Sequence, residues 1–186
     1  MPSLLITNAH LLDPEVGELS DASWLEVADG RITDTGTGPA PAAGENTQVI
    51  DAAGATVMPG LIDAHVHILL TTFDAREAQD WTAGYATVRA LAEAERMLRR
   101  GFTTVRDVGG ADWGMARAIE EGLATGPRLI YGGKALTQTG GHGDIRPLSD
   151  DQHPCCQVRP DFARVADGVD EVRQAARDEF RKAQHI

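Results

Sequence analysis

Pro59-Gly60-Leu61-Ile62-Asp63-Ala64-His65-Val66-His67-Ile68-Leu69 decides the fold. Leu61 to Ile68 is expected to be a buried strand entered through a Pro-Gly turn. Side chains alternate along a strand, so Asp63, His65 and His67 share one face with Leu61, while Ile62, Ala64, Val66 and Ile68 pack on the other. Two imidazoles two residues apart on one rigid face can chelate one metal ion, each giving a ring nitrogen at about 2.0–2.1 Å if the metal is zinc. A bare His-x-His fits equally two histidines packed in a core or standing at a strand edge. A carboxylate on the same face and an apolar opposite face describe a polar interior site with a packed outside. On residues alone both readings stand.

Upstream, Ser3 to Thr7, Trp24 to Val27, Arg31 to Asp34 and Gln48 to Ile50 read as short strands. Asp29-Gly30 makes a hairpin turn between the second and third. Gly36 to Asn46, rich in Gly, Pro and Ala, reads as a loop, and Ala55 to Met58 leads into the central motif. Residues 1–58 are thus expected to form a small antiparallel, sandwich-like β domain, too small to bury much alone.

Downstream the grammar changes to strand–helix alternation, the mark of parallel βα units. Thr82 to Arg100 reads as a helix with Tyr85, Val88, Leu91, Glu95 and Leu98 on its inner face, stopped at Gly101. Thr103 to Val108 is the second strand. Asp112 is placed to cap a helix ending at Glu121-Gly122, and Arg128 to Gly132 is the third strand. Thr137 to Pro160 is a long, turn-rich loop of the kind that carries function. Val169, Val172, Ala176, Phe180 and Ala183 mark a third helix, and His185-Ile186 would begin a fourth strand. Arg106 and Asp107 point to opposite faces and are expected to join an inter-strand salt bridge. Trp24, Trp81 and Trp113 read as packing residues. The pairs Gly109-Gly110, Gly132-Gly133 and Gly140-Gly141 read as tight strand-end turns, since no Gly-x-x-x-x-Gly-Lys pattern accompanies them.

Val57-Met58-Pro59-Gly60-Leu61-Ile62-Asp63-Ala64-His65-Val66-His67 resembles the opening barrel strand of the metal-dependent amidohydrolase superfamily. Leu136-Thr137-Gln138-Thr139-Gly140-Gly141-His142-Gly143-Asp144 resembles the branch holding metal-dependent Xaa-Pro dipeptidases and related carboxypeptidases. The resemblance implies an α/β fold, a (β/α)8 TIM-type barrel beginning at residue 59. It implies that His65 and His67 bind the more buried of two divalent metal ions, zinc being expected. It further implies that His142 contacts substrate, and that the general-base aspartate and the remaining ligands lie on later strands. Asp63 is expected either to hydrogen-bond beneath the ligands or to be a buried structural carboxylate. The implied reaction is attack of a metal-activated hydroxide on the amide bond of a dipeptide or N-acyl amino acid. A cyclic-amide hydrolase, a deaminase, or a non-catalytic assembly protein of the same fold are the alternatives. Phe180 to Ile186 resembles the run before a lysine that is carbamylated and bridges the two ions, so that lysine is expected just after Ile186. A whole barrel takes about 250 residues. Residues 59–186 hold only three βα units and the start of a fourth strand, so the chain is expected to be part of a longer protein and inactive as it stands. His10, His153 and His185 match no ligand position.

Composition limits the other classes. Hydrophobic residues make up 42% of 186, a globular rather than disordered composition. Lys and Arg number 17 against 28 Asp and Glu, a formal charge of −11 with no basic cluster, which argues against nucleic acid as a partner. The expected partner is a small-molecule substrate, with a homo-oligomer left open. No apolar run approaches the roughly 20 residues of a membrane span, and no signal peptide is evident, so a cytoplasmic location is expected. Cys155 and Cys156 are adjacent and read as loop thiols, not as a disulfide framework.

Overall fold

The structure, a computed structural model, describes residues 3–74, 77–78, 80–146 and 162–182. His153, Cys155, Cys156, most of the turn-rich loop and the expected start of a fourth strand at His185-Ile186 lie outside the described residues. The chain divides into two compact units, Met1–Pro59 and Gly60–Ile186. No helix among the described residues is long and apolar enough to cross a membrane.

The first unit is one six-stranded sheet. Its strands are β1 (Ser3–Asp13), β2 (Glu18–Leu19), β3 (Ser23–Ala28), β4 (Arg31–Thr37), β5 (Thr47–Asp51) and β6 (Thr56–Val57). The expected hairpin joins β3 to β4, with Asp29 at φ 51° and Gly30 at φ 73°. Two positive φ values in succession match the turn twist to that of the strands. The sheet is not purely antiparallel as expected. β5 and β6 both run parallel to β1, Ile6 facing Ile50 and Leu11 facing Val57. The connection from β4 through residues 38–46 carries the chain back to the start of β1, so it returns in the direction of β1.

The second unit is built on a parallel sheet in the order β7 (Leu61–Val66), β8 (Phe102–Asp107), β9 (Arg128–Tyr131). Helix α1 (Ala83–Arg99) joins the first two strands and α2 (Trp113–Glu120) the next two. A short parallel pair follows, β10 (Ala135–Thr137) with β11 (Ala163–Val165), and then α3 (Gly168–Lys182). The strand pair was not expected, because three residues are too few to show a period.

The helix ends follow their cap residues. The Thr82 hydroxyl accepts from the Tyr85 N–H and the Asp112 carboxylate from the Met115 N–H, each satisfying an orphan donor of the first turn. Arg96 and Arg99 in the last turn of α1 lie at the negative end of its dipole.

The buried faces differ from expectation on two helices. In α1 the buried residues are Ala86, Ala90, Ala94 and Met97, while Val88 is 65% exposed. Small side chains let the helix approach the sheet closely, and area removed from water outweighs the hydrophobicity of any one residue. In α3 the buried residues are Ala175 and Glu179, while Val169, Val172 and Phe180 are exposed. The core joins α1 and Met115 of α2 to Val105, Leu129 and Tyr131 of the sheet, with Ile68, Trp81 and Phe162. Trp113 is half exposed, with the Arg117 guanidinium 5.6 Å from its ring centroid, so it is not a core residue.

Candidate metal and substrate site

β7 ends at Val66, two residues earlier than expected, and His67 begins the turn that follows. Ile68 packs in the core as expected, but Ile62 is 70% exposed.

The two imidazoles nevertheless stand together. Their ring centroids are 5.4 Å apart with planes at 79°. A tetrahedral ion holding two imidazole nitrogens at about 2.0–2.1 Å would set the two centroids about 5 Å apart, so the observed spacing fits a shared ion. The hydrogen bonding fits as well. His67 Nδ1 lies 3.1 Å from the Gly109 carbonyl oxygen. A carbonyl only accepts, so Nδ1 carries the proton, and in the neutral ring Nε2 keeps its lone pair for a cation. The His65 ring has no hydrogen-bond partner among the described residues. Both rings are exposed enough to be reached.

Asp63 is half buried, and its Oδ1 accepts the His65 backbone N–H at 3.1 Å. It therefore holds the main chain beneath one ring. His142 is exposed in a turn, and no hydrogen bond or ring contact joins it to His65 or His67 among the described residues. The described residues around it are held by hydrogen bonds. Asp144 accepts from the Gly140 N–H and from Arg146, and Asp167 accepts from the Thr139 N–H and hydroxyl. Arg146 and the Gly140 amide hold the Asp144 carboxyl well below the usual carboxylate range, and Thr139 holds Asp167 low. His10, in the first unit, donates from Nδ1 to the Ser20 carbonyl and is structural.

The residue that sequence reasoning misplaced is Asp107. Neither Arg106 nor Asp107 forms the expected inter-strand salt bridge among the described residues. Arg106 Nε donates to the Ala64 carbonyl, and Asp107 is completely buried. Its Oδ2 accepts from the Ile68 N–H at 2.6 Å, and its Oδ1 from the Gly109 and Ala111 N–H groups at 2.9 and 3.1 Å. Burial pushes the Asp107 carboxyl above its ordinary value, while the three amides and the nearby His67 pull it down. The signal was present in Asp107-Val108-Gly109, since an aspartate commonly bonds the backbone N–H two residues on.

No group of three or more His, Cys, Asp or Glu side chains close enough to hold a metal occurs among the described residues. The expected ligand pair His65 and His67 thus stands without a third such side chain among the described residues.

Parallel strands joined by helices, with polar groups gathered where the strands end, place the chain among the (β/α)8-barrel proteins. The chain belongs to the amidohydrolase family, whose model matches residues 56–186. It is 34% identical over 145 residues to the ochratoxinase of Aspergillus niger, covering 70% of this chain and 30% of that protein. It is 30% identical over 126 residues to the 5'-deoxyadenosine deaminase of Methanosarcina barkeri, covering 58% of this chain and 28% of the relative. Among solved structures, a prolidase complexed with N-methylphosphonate-L-proline superposes with a TM-score of 0.86 at 42% identity, over 97% of this chain and 44% of that one. The chain therefore spans less than half the length of each of these three proteins.

Proposed function

We propose that this chain contributes the first two ligands of a metal-dependent hydrolase that cleaves the amide bond of a dipeptide or N-acyl amino acid. The observation that carries the reading is the His65–His67 pair, 5.4 Å apart, with Nδ1 of His67 committed to the Gly109 carbonyl. A zinc-like divalent ion, when bound, supplies Lewis acidity that makes water a nucleophile at neutral pH and polarises a carbonyl. The chain's own residues do the positioning. His65 and His67 hold the cation from the end of β7. Asp63 fixes the main chain under His65. The loop of His142 is set by Asp144 and Asp167, and His142 is available to a substrate's polar groups. The 42% identity to a prolidase bound to a proline phosphonate supports an amide next to proline as the bond cleaved. A deaminase is the second reading, supported by the 5'-deoxyadenosine deaminase relative.

The test is metal analysis and substrate screening of the full-length protein. The expected result is bound divalent metal and release of free amino acid from Xaa-Pro or N-acyl substrates. Ammonia release from nucleosides, with no peptide hydrolysis, would favour the second reading. Failure to take up metal, even with metal and bicarbonate added, would make the chain part of a non-catalytic protein.

A further inference from the structure

We propose that Asp107 is a positioning residue for His67: by holding the turn after β8 it presents the Gly109 carbonyl to the ring, and so decides which nitrogen bears the proton and which faces the cation. The inference rests on the metal reading above for its purpose, but its geometry stands apart from it.

Burying a carboxylate is costly unless it is fully hydrogen-bonded. Asp107 is 0% exposed, and the groups that satisfy it are all backbone amides. Those amides come from two loops. Ile68 is the residue after His67, and Gly109 and Ala111 flank the turn after β8. One side chain therefore staples the end of β7 to the end of β8. Gly109 is doubly engaged, its N–H given to Asp107 and its carbonyl accepting His67 Nδ1 at 3.1 Å. The approach is close. A Cβ at Gly109 would lie 3.3 Å from His67 Cε1 and Nδ1 and 3.2 Å from the Ala135 Cβ. The turn is backed in its place by β9's loop, since the Gly110 N–H donates to the Gly133 carbonyl at 2.8 Å. A turn staple alone would need no contact with an imidazole. Here the stapled carbonyl is the one that fixes the tautomer.

The experiment is Asp107→Asn in the full-length protein. Asparagine keeps the shape but turns an NH2 toward at least one of the three amide donors, so the turn must shift. Two readouts are taken: the His67 tautomer in the metal-free protein, by long-range nitrogen–proton correlation on histidine-labelled samples, and zinc affinity by titration. Wild type is expected to show Nδ1–H at His67. The variant is expected to lose that single tautomer and to bind zinc about 10–100-fold more weakly, the range for changes behind a ligand. A folded variant with an unchanged tautomer and unchanged affinity overturns the proposal. If the variant does not fold, Asp107→Glu decides, since it keeps the carboxylate but lengthens its reach by one methylene and so must shift the turn; an unchanged tautomer there is equally fatal, as is a wild-type His67 protonated on Nε2. Should wild type bind no zinc, the metal reading fails, while the tautomer still reports on Asp107.

Discussion

Gly133, in the turn that follows β9, approaches Glu179 of α3 so closely that a Cβ on the glycine would overlap the Glu179 carboxylate. Glu179 is only 7% exposed and its Oε2 accepts the Lys134 N–H at 3.1 Å. Gly133 itself is left-handed, at φ 74°. Gly133→Ala therefore meets two penalties: about 1–2 kcal/mol for a side chain in that conformation, and about 1–3 kcal/mol for taking a buried acceptor from its donor. Urea unfolding of the full-length protein is expected to show a loss of about 2–5 kcal/mol. Gly122→Ala is the control. It has nearly the same φ, 73°, with nothing within 4 Å, and is expected to lose only the first part.

The three histidines separate by what their removal changes. His65→Ala and His67→Ala are expected to weaken metal binding by more than the roughly 10–100-fold typical of residues behind a ligand. His142→Ala is expected to leave metal content unchanged and to lower kcat/KM. Metal content by mass spectrometry, read beside steady-state kinetics, checks both. Loss of metal from the His142 variant would move that residue into the metal site.

Much of this site could be read from the chain because its parts are local. His65, near the end of β7, and His67, in the turn just past it, are two residues apart, so local backbone brings their rings together. The cap Asp112 precedes its helix directly and bonds the N–H three residues on. What was misread depends on distant partners. Asp107 looked like half of a salt bridge, because Ile68, 39 residues earlier, gives no sign in sequence that its N–H needs an acceptor. The parallel pairing of β5 with β1 joins segments 44 residues apart and depends on the path of the loop between. His142 lies on a loop whose shape is set by Asp167, 28 residues from Thr139.

Asp178 and Lys182 give stability a signed dependence on pH. Lys182, Arg181 and Arg164 approach the Asp178 carboxylate at 2.9 Å each. Lys182 first, then Arg181, hold the Asp178 carboxyl well below the usual range, and Asp178 in turn raises Lys182 above its usual value. A depressed carboxyl contributes stability that is whole above its unfolded value of about 3.9 and is lost as pH falls through the folded value. A raised lysine contributes stability that is whole below about 10.4 and is lost as pH rises through its folded value. The stability gap between wild type and Asp178→Asn is therefore expected to be level through neutral pH, to shrink below about pH 4 and to shrink again above about pH 10. The charges are at the surface, so the gap is expected to be small and to narrow in high salt. A gap that grew on acidification would reverse the sign of the linkage.

The row of alanines on α1 makes a contrary pair of substitutions informative. A hydrophobic count selects Tyr85, Val88, Leu91 and Leu98 as the inner face, yet Ala86, Ala90 and Ala94 are each 0% exposed. A Cβ at Gly126, in the loop before β9, would come within 3.0 Å of the Ala94 Cβ, which shows how little room lies behind the helix. Ala90→Leu is expected to cost about 1–3 kcal/mol by overpacking, although leucine is the more hydrophobic residue and nearly as good a helix former. Val88→Lys is expected to change stability by no more than about 0.5 kcal/mol, because the site is exposed and lysine suits a helix. Chemical denaturation of the two variants checks the pair. The opposite ranking would return the inner face to the larger residues and rotate the helix on the sheet.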